Sequence, residues 1–425
     1  MRTEMQQIHV RTLFSLVTSM YLVLGCVDRC QGRGHVAIES ATCKTHHDFE
    51  LYTSPHINQD HNLDLRAPQL QAMSKTIKTR ILIVSDTHCA ALESRDDSPP
   101  PLAPFKAPLP SADLLIHCGD LTMTGQMSEY HRTLDMLSAI EAPVKVVIAG
   151  NHDLSLDRDF VHSHRERDPQ NRQPALSEAE AEARWKEARD LWTSPDGRAQ
   201  QEGVTFLDEG VHLIDLLNGA KVRLYASPYT PEFYDWGFPY ERDEDRFNPA
   251  KDSLADAKNI TKHPIPEGTA AEAVDIVVTH GPPWQRLDPT VHGVSAGCPH
   301  LLRALMRSRP KLCCYGHIHE GWGAERLKWS DDVLGVLARQ DSIDTWKGGG
   351  WRDGVADSGK AIETIESDFE SAREKHAVFV DVSKEGGKPI GQGDETLMVN
   401  AAIMDVGYRP VNAPCVVDLD LPVAG

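Results

Sequence analysis

Residues 80–88 read RILIVSDTH, and this stretch decides the fold. Ile81 to Val84 are four β-prone apolar residues without alternation, which is typical of a strand covered on both faces. Asp86 and His88 follow at once, so a carboxylate and an imidazole lie one residue apart beyond the end of that strand. Both groups are common ligands of divalent metal ions. The stretch therefore predicts a buried strand that ends in a pair of candidate metal ligands.

Four more polar clusters follow apolar runs further along the chain. They are Gly119-Asp120, Gly150-Asn151-His152-Asp153, Thr279-His280-Gly281 and Gly316-His317-Ile318-His319. In parallel-type sheets, functional side chains collect at the carboxyl ends of the strands. We therefore predict that the five clusters meet in one metal centre. Its candidate ligands are Asp86, His88, Asp120, Asn151, His280, His317 and His319.

This ligand set suits a pair of divalent ions. Two ions held about 3.5–4 Å apart can clamp the attacking and leaving oxygens of a phosphoryl displacement. One ligand must bridge them, and the carboxylate of Asp120, central in the chain order, suits that role. The remaining ligands would divide into one set of Asp86, His88 and His319 and a second set of Asn151, His280 and His317. Mixed imidazole and oxygen ligation favours manganese, iron or zinc over calcium.

The rest of the folded region alternates predicted strands with amphipathic helices. Apolar residues from Met127 to Ile140 recur at spacings of three and four, which predicts a helix between strands at 114–116 and 144–149. Ser177 and Glu180 form a capping-box pattern that opens a second helix. Later strands are expected near 204–207, 211–216, 222–225, 274–279 and 311–315. The order predicts an α/β protein with a mostly parallel sheet and crossover helices.

The chain divides by composition into a leader and one large domain. Residues 1–75 are expected to be a poorly ordered leader, and the moderately apolar run at 13–26 could act as a signal or an anchor. We otherwise expect a cytoplasmic protein that does not associate with a membrane. Residues 76–425 form the predicted domain, with a polar, glycine-rich peripheral insertion at about 325–395 and one helical stretch near 361–375. Strand character returns at 398–403 and 416–419, where we expect a sheet edge.

Charge and cysteine content exclude several classes of protein. A formal charge of −19 repels phosphate backbones, so duplex nucleic acid is not an expected partner. A small phosphorylated substrate remains compatible if cations in the site reverse the local sign. The nine cysteines lack regular spacing, and we expect Cys89, Cys118, Cys313 and Cys314 to be reduced, buried thiols. Oligomeric state stays open.

The order of the clusters, Asp-x-His, Gly-Asp, Gly-Asn-His-Asp, His-Gly and Gly-His-x-His, resembles the calcineurin-like metallophosphoesterases over residues 80–325. Further stretches, at 227–238, 279–283, 316–323 and 409–412, are similar to the metallophosphoesterase-domain-containing branch of class III cyclic nucleotide phosphodiesterase-like proteins. The resemblance implies a β-sandwich flanked by α-helices, with the metals at the carboxyl ends of strands. It also implies hydrolysis of cyclic nucleotides or other small phosphodiesters. The segment at 325–395 departs from the compact family pattern.

Two residues outside the ligand set are candidate catalytic groups. His152 would donate a proton to the leaving oxygen or stabilise its charge, and Asp153 would orient its imidazole. The nucleophile would be a hydroxide shared by the metals, so no protein nucleophile is required. Trp236, Tyr229 and Trp284 could stack a nucleobase, or they could form an aromatic plug over the sheet.

Three other functions stay open. The fold could serve as a nucleotide-binding scaffold or sensor with little turnover, an alternative raised by the leader and the insertion. A nuclease is disfavoured by the acidic charge and the absence of a basic stripe. A protein serine/threonine phosphatase is disfavoured, because that group usually carries an arginine-containing form of the Gly-Asn-His block, whereas here Asp153 follows His152 directly.

Overall fold

The computed structural model describes residues 75–92, 104–164, 175–268, 272–329, 360–365 and 369–423. Apart from residue 75, the leader expected over residues 1–75 lies outside the described residues. Within the described part of the chain, no helix combines the length and apolar character needed to cross a membrane.

Six strands form the first sheet. In spatial order they are β15 (Val378–Asp381), β17 (Cys415–Pro422), β1 (Thr76–Val84), β2 (Leu114–His117), β3 (Val144–Val147) and β4 (Val204–Phe206). Strands β1 to β4 run parallel to one another, and β17 runs antiparallel to β1. The parallel part therefore directs the carboxyl ends of β1, β2 and β3 to one edge.

Seven strands form the second sheet. In spatial order they are β14 (Lys360–Ile365), β13 (Gly323–Lys328), β16 (Glu395–Asn400), β12 (Leu312–Tyr315), β11 (Ile276–Thr279), β6 (Lys221–Ser227) and β5 (Gly210–Asp215). The central strands β6, β11, β12 and β16 are parallel, whereas β5, β13 and β14 pair antiparallel to their neighbours. Two small parallel pairs complete the strands: β7 (Thr230–Pro231) with β8 (Pro239–Tyr240), and β9 (Glu244–Asp245) with β10 (Lys258–Asn259).

Six α-helices flank the sheets in the described part of the chain. They are α1 (Met127–Ser138), α2 (Arg158–Ser163), α3 (Glu178–Thr193), α4 (Arg198–Gln201), α5 (Pro299–Ser308) and α6 (Phe369–Lys375). Short 3₁₀ turns occur at Leu154–Leu156, Ala250–Asp252 and His319–Gly321. Helix α3 begins with the expected capping box, in which the Ser177 hydroxyl accepts from the Glu180 N–H and the Glu180 carboxylate accepts from the Ser177 N–H.

The two sheets pack face to face, with helices on their outer faces. Ile81 and Ile83 of β1 share a hydrophobic cluster with Val278 of β11, so alternate residues of β1 fill the space between the sheets. Leu82 points the other way and packs with Leu134 of α1. Helix α5 covers the outer face of the second sheet through a third cluster. This helix, sheet, sheet, helix arrangement confirms the α/β fold class and the expected β-sandwich flanked by α-helices.

Several local expectations need correction. The stretch at 361–375 is helical only in its second half, because Lys360–Ile365 pairs with β13 as strand β14. The described parts of the segment expected as a peripheral insertion contribute β13, β14 and β15 to the two main sheets. The C-terminal strands β16 and β17 lie inside the sheets, where each has a neighbour on both sides, and do not close an edge. Cys118, Cys313 and Cys314 are free and buried as expected, while Cys89 is only half-buried.

Candidate metal centre

The candidate ligands lie just beyond the carboxyl ends of strands from both sheets. Asp86 follows β1, Asp120 follows β2 and Asn151 follows β3, while His280 follows β11 and His317 follows β12. The sheets join at this edge, because the Ser85 N–H donates to the carbonyl of Ala401 and the Ser85 carbonyl accepts from the N–H of Ile403. Ligands from the two sheets are therefore brought side by side.

One group of ligand atoms combines Asp86, His88 and His319. These atoms all lie within 4.8 Å of one another. The His319 Nε2 is 3.4 Å from the Asp86 Oδ1, and the His88 and His319 rings are 5.5 Å apart between centroids. The group offers one carboxylate and two imidazoles to a single ion, which is the set that sequence reasoning assigned to one metal.

A second group combines Asp86, Asp120 and His280, again within 4.8 Å. The His280 Nε2 lies 3.3 Å from the Asp120 Oδ1 and 2.9 Å from the Asn151 Oδ1. The other carboxylate oxygen of Asp120, Oδ2, is 3.6 Å from the His88 Nε2. Asp120 therefore presents one oxygen to each group. Asp86, which we assigned to one ion only, belongs to both groups.

His317 borders the second group. Its ring centroid is 5.1 Å from that of His280, and its backbone N–H donates to both oxygens of Asp86 at 3.1 and 3.0 Å. All seven predicted ligands are thus linked by contacts into one cluster.

Backbone carbonyls fix the orientation of three of these histidines. A carbonyl oxygen can only accept, so each Nδ1 that contacts one carries the hydrogen and each Nε2 is left facing the centre. The pairs are His88 with Thr122 O at 2.9 Å, His280 with Cys118 O at 2.9 Å and His319 with Asp405 O at 3.0 Å. Metal-ligating histidines are normally held in this way.

Four of the seven ligands adopt a left-handed backbone. Their φ angles are 53° for Asp86, 45° for His88, 53° for Asp120 and 65° for His317. This region is sparsely populated by residues with a Cβ, and such strain persists where the surrounding structure enforces it, commonly at functional sites. Gly316 has no room for a side chain, since a Cβ there would lie 1.9 Å from the Asp86 Oδ2.

Burial and charge fit a bound cation. Asp86 and Asp120 are 0% and 2% exposed, and in the described part of the chain they form ion pairs only with histidines. Two buried carboxylates without a cationic partner are costly, and a metal ion would supply the missing charge. Among the described residues the buried Nε2 of His88 has no hydrogen-bond partner, although it lies 3.6 Å from the Asp120 Oδ2. These residues fit a divalent metal ion.

The pKa shifts follow from burial and from these neighbours. Burial lowers the pKa of His88 to about 4 and that of His317 to about 3, which leaves both rings neutral and able to ligate. Burial opposes ionisation of Asp86, but the hydrogen bond to His319 and nearby imidazole charges lower its pKa to about 2. Burial also opposes protonation of His280, but the charge of Asp120 raises its pKa to about 9. A metal ion bound there would displace that proton, because only the neutral imidazole of His280 can ligate.

His152 lies beside the ligand groups in a fixed orientation. Its Nδ1 donates to the Met123 carbonyl at 2.9 Å, and its backbone N–H donates to the Asp120 Oδ1 at 2.8 Å. Its ring stacks on Trp236, with centroids 3.9 Å apart and planes at 27°, and meets His88 edge-on at 4.7 Å. The Nε2 is left as the nitrogen available for proton transfer.

Asp153 does not orient the His152 ring, contrary to our expectation. Its buried carboxylate accepts from the backbone N–H groups of Leu121, Thr122 and Gly150 and from the Thr122 hydroxyl. The physical reason is local geometry: the Asp153 side chain turns into the fold, while the Met123 carbonyl satisfies the imidazole. Asp153 therefore ties the loop after β2, which carries Asp120, to the loop after β3.

One residue at the centre, Tyr408, was not predicted from the sequence. The Tyr408 ring lies 5.0 Å from His88, 5.6 Å from His319 and 6.0 Å from His152, and burial raises the pKa of its phenol to about 12. The only signal in the sequence was its position next to the family-like stretch 409–412.

Of the three aromatic residues considered for base stacking, Trp236 stacks directly on the candidate catalytic residue His152. Trp284 is 3% exposed in the hydrophobic cluster under α5. Tyr229 lies beneath Arg246, whose guanidinium carbon is 3.3 Å from the ring centroid. These contacts favour the alternative of an aromatic plug for both residues.

Comparison with known proteins places these residues in a family. The family model described as calcineurin-like phosphoesterase matches residues 79–321, a range that includes every predicted ligand. The chain is 33% identical over 247 residues to metallophosphoesterase domain-containing protein 1 of Homo sapiens and of Mus musculus, which covers 58% of this chain and 62% of each relative. It is 31% identical over 269 residues to the probable rhamnogalacturonate lyase C of Emericella nidulans, covering 63% of this chain and 20% of that protein.

The chain thus spans less than two thirds of the length of these relatives. A solved purple acid phosphatase, PPD1 from yellow lupin seeds, aligns with 80% of this chain and 47% of its own at 11% identity, with a TM-score of 0.29 that is too low to support an argument. The family match covers more than half of the 425 residues. The chain therefore belongs to the calcineurin-like phosphoesterase family.

Proposed function

We propose that the protein is a metal-dependent phosphoester hydrolase that works with two divalent ions. The observation that carries this proposal is the placement of Asp120, whose two carboxylate oxygens face His88 at 3.6 Å and His280 at 3.3 Å. Asp120 would therefore contribute one ligand oxygen to each of two ions. One ion would be held by Asp86, His88 and His319, the other by Asn151, His280 and His317. Manganese, iron or zinc suits this mixture of imidazole and oxygen ligands.

When bound, such ions would supply Lewis acidity toward the phosphoryl oxygens and lower the pKa of water. His152 would act on the leaving group. Because its Nδ1–H is committed to the Met123 carbonyl, the proton it transfers would pass through Nε2. Stacking on Trp236 would hold the ring plane during that transfer. Asp153 would contribute as a positioning residue, by holding the loops that carry Asp120 and Asn151.

The substrate class we propose is a small phosphodiester, with cyclic nucleotides as candidates. The charge of −19 disfavours large polyanions as substrates. In the described part of the chain, no lysine or arginine contacts Asp86, Asp120 or His152, so a substrate with one negative charge suits the site better than one with several. The likeness to the human relative supports the phosphoester chemistry only at the level of the family.

The test combines metal analysis with turnover. Full-length protein is stripped with a chelator, reloaded with manganese, and assayed with bis(4-nitrophenyl) phosphate and a panel of cyclic nucleotides and monoesters. Asp120→Ala should lose both bound metal and activity. Asp418→Asn is the matched control, since Asp418 is a buried carboxylate of β17 that pairs with Arg80 in the middle of β1, whereas Asp86 lies beyond the carboxyl end of that strand. It should retain both.

Activity that survives in Asp120→Ala with normal metal content would refute the proposal. Tight nucleotide binding by the metal-loaded protein, without turnover of any substrate in the panel, would favour a nucleotide-binding scaffold instead.

A further inference from the structure

A tight turn near the C-terminus is attached directly to the metal centre. The Asp405 carbonyl accepts from the Nδ1 of His319 at 3.0 Å and from the N–H of Tyr408 at 2.9 Å. The Asp405 carboxylate accepts from the N–H groups of Gly407 and Arg409, and it also binds the Arg409 guanidinium through Nε and Nη2. This turn lies beyond the residues matched by the family model, yet it orients one candidate ligand and presents Tyr408.

Tyr408 is held in a conformation that is unfavourable for a bulky residue. Its φ angle is 56°, in the left-handed region, where a residue with a large side chain is an outlier. The Asp405 hydrogen bonds on either side of it enforce that backbone. Strain of this kind points to a functional constraint on where the ring is placed. The consequence here is a phenol ring that sits against His88, His319 and His152.

Two half-buried aromatic rings therefore border the same imidazole. Trp236 covers one face of His152 at 3.9 Å, and Tyr408 lies 6.0 Å from it with planes at 64°. A phosphoryl group positioned between His152 and the ligand groups would carry its ester substituents past these rings. Among the described residues no lysine or arginine contacts Tyr408 or Trp236, and the guanidinium of Arg409 is bound by Asp405. The ester substituents would therefore contact the aromatic rings and not a cationic side chain.

We propose that Tyr408 contacts the substrate and selects phosphodiesters whose ester substituent is a planar aromatic group. This proposal rests on the proposed function of the centre and specifies the ester substituent that the site binds preferentially. Aromatic rings stack or meet edge-to-face with a gain of about 0.5–1.5 kcal/mol beyond the burial of their area, which corresponds to roughly a two- to twelvefold change in binding.

The test compares two diesters that share a leaving group and a charge. Phenyl 4-nitrophenyl phosphate and methyl 4-nitrophenyl phosphate both release 4-nitrophenolate, so the ratio of their kcat/KM values reports the second ester group alone. Wild type should favour the phenyl ester, and Tyr408→Ala should lower the ratio by roughly two- to twelvefold. Tyr408→Phe, which keeps the ring, should retain it. Phe379→Ala is the matched control, since it removes an exposed aromatic ring from β15 in the first sheet.

Metal content is measured for every variant, so that a disturbed His319 is not mistaken for a lost substrate contact. A phenyl-to-methyl ratio in Tyr408→Ala equal to that of wild type, at equal metal content, would overturn the assignment.

Calorimetric binding of diphenyl phosphate and dimethyl phosphate to the manganese-loaded protein carries the same comparison without turnover. If wild type hydrolyses neither nitrophenyl ester, the proposed function fails. The role of Tyr408 is then decided by binding: a selective loss of diphenyl phosphate affinity in Tyr408→Ala supports it, and equal affinity rejects it.

Discussion

Replacing Asp153 by alanine separates two roles for the residue that follows His152. If Asp153 oriented the imidazole, its removal would reduce activity and leave the folded state nearly unchanged. In the structure its buried carboxylate accepts from Leu121 N at 3.1 Å, Thr122 N at 3.0 Å, Gly150 N at 2.8 Å and Thr122 Oγ1 at 2.7 Å. The structure therefore predicts a loss of stability as well.

The size of that loss can be worked from the hydrogen bonds. Alanine leaves three buried backbone N–H groups without their acceptor, and each unsatisfied group costs about 1–3 kcal/mol. Because the vacated space can admit water, the lower end applies, which gives a decrease of about 3 kcal/mol or more in the free energy of unfolding. Asp153→Asn keeps the volume and one carbonyl oxygen, so we expect a smaller decrease.

Urea unfolding followed by tryptophan fluorescence measures the change through the midpoint and slope. Asp208→Ala is the control, since Asp208 is an exposed carboxylate that pairs with Arg189 on the surface. Such a pair contributes about 1 kcal/mol or less. Metal occupancy of Asp153→Ala should also fall, because the loops that carry Asp120 and Asn151 lose the hydrogen bonds that join them through the Asp153 carboxylate. An Asp153→Ala protein as stable as the control, with normal metal content and lost activity, would refute this reasoning and restore the orienting role.

Three further changes test other parts of the molecule. Trp236→Ala should lower kcat roughly three- to tenfold at unchanged metal content, because the ring that holds His152 is gone; an unchanged kcat would remove Trp236 from the site. Leu134→Ala should lower the free energy of unfolding by about 2–5 kcal/mol, since Leu134 is fully buried beneath the first sheet, and a loss below 1 kcal/mol in urea unfolding would contradict that packing. Burial opposes ionisation of Asp418, but the hydrogen bond from Arg80 outweighs it and lowers the pKa. A group whose pKa is lowered on folding stabilises the folded protein above its unfolded pKa, and that stability is lost as pH falls through the folded pKa. Asp418→Asn should therefore make the free energy of unfolding less dependent on pH between about pH 5 and the folded pKa. An unchanged pH dependence in this range would exclude a contribution from Asp418.

The sequence predicted those elements whose local pattern has one physical solution. The run at 81–84, followed at once by Asp86, has to be a buried strand that ends at polar side chains. The spacing from Met127 to Ile140 predicts helix α1, and the Ser177 capping box predicts the start of α3, because each pattern depends on neighbours in the chain.

Other features depend on distant partners and could not be predicted in this way. A strand covered on both faces looks the same in sequence whether a helix or a second sheet covers it, so the sandwich followed only from the family resemblance. Residues 361–365 form a strand because β13 offers them an edge. His300 is a polar residue that is fully buried in α5 by its tertiary neighbours. Tyr408 belongs to none of the five ligand motifs, so the sequence did not indicate that it lies at the centre.

The centre depends on closure of the whole sandwich. Asp86 and His317 are 231 residues apart, and they meet because Ser85 of the first sheet bonds to Ala401 and Ile403 beyond the end of β16 in the second. The same C-terminal region continues into the turn that orients His319 through Asp405. Left-handed backbone at the ligands is strained and has to be held by these long-range contacts. The buried carboxylates of Asp86 and Asp120 add a second cost, which a cation removes. Pairing of the two sheets holds the strained ligands in place, and binding of metal offsets the cost of the buried carboxylates. Each process should therefore stabilise the product of the other.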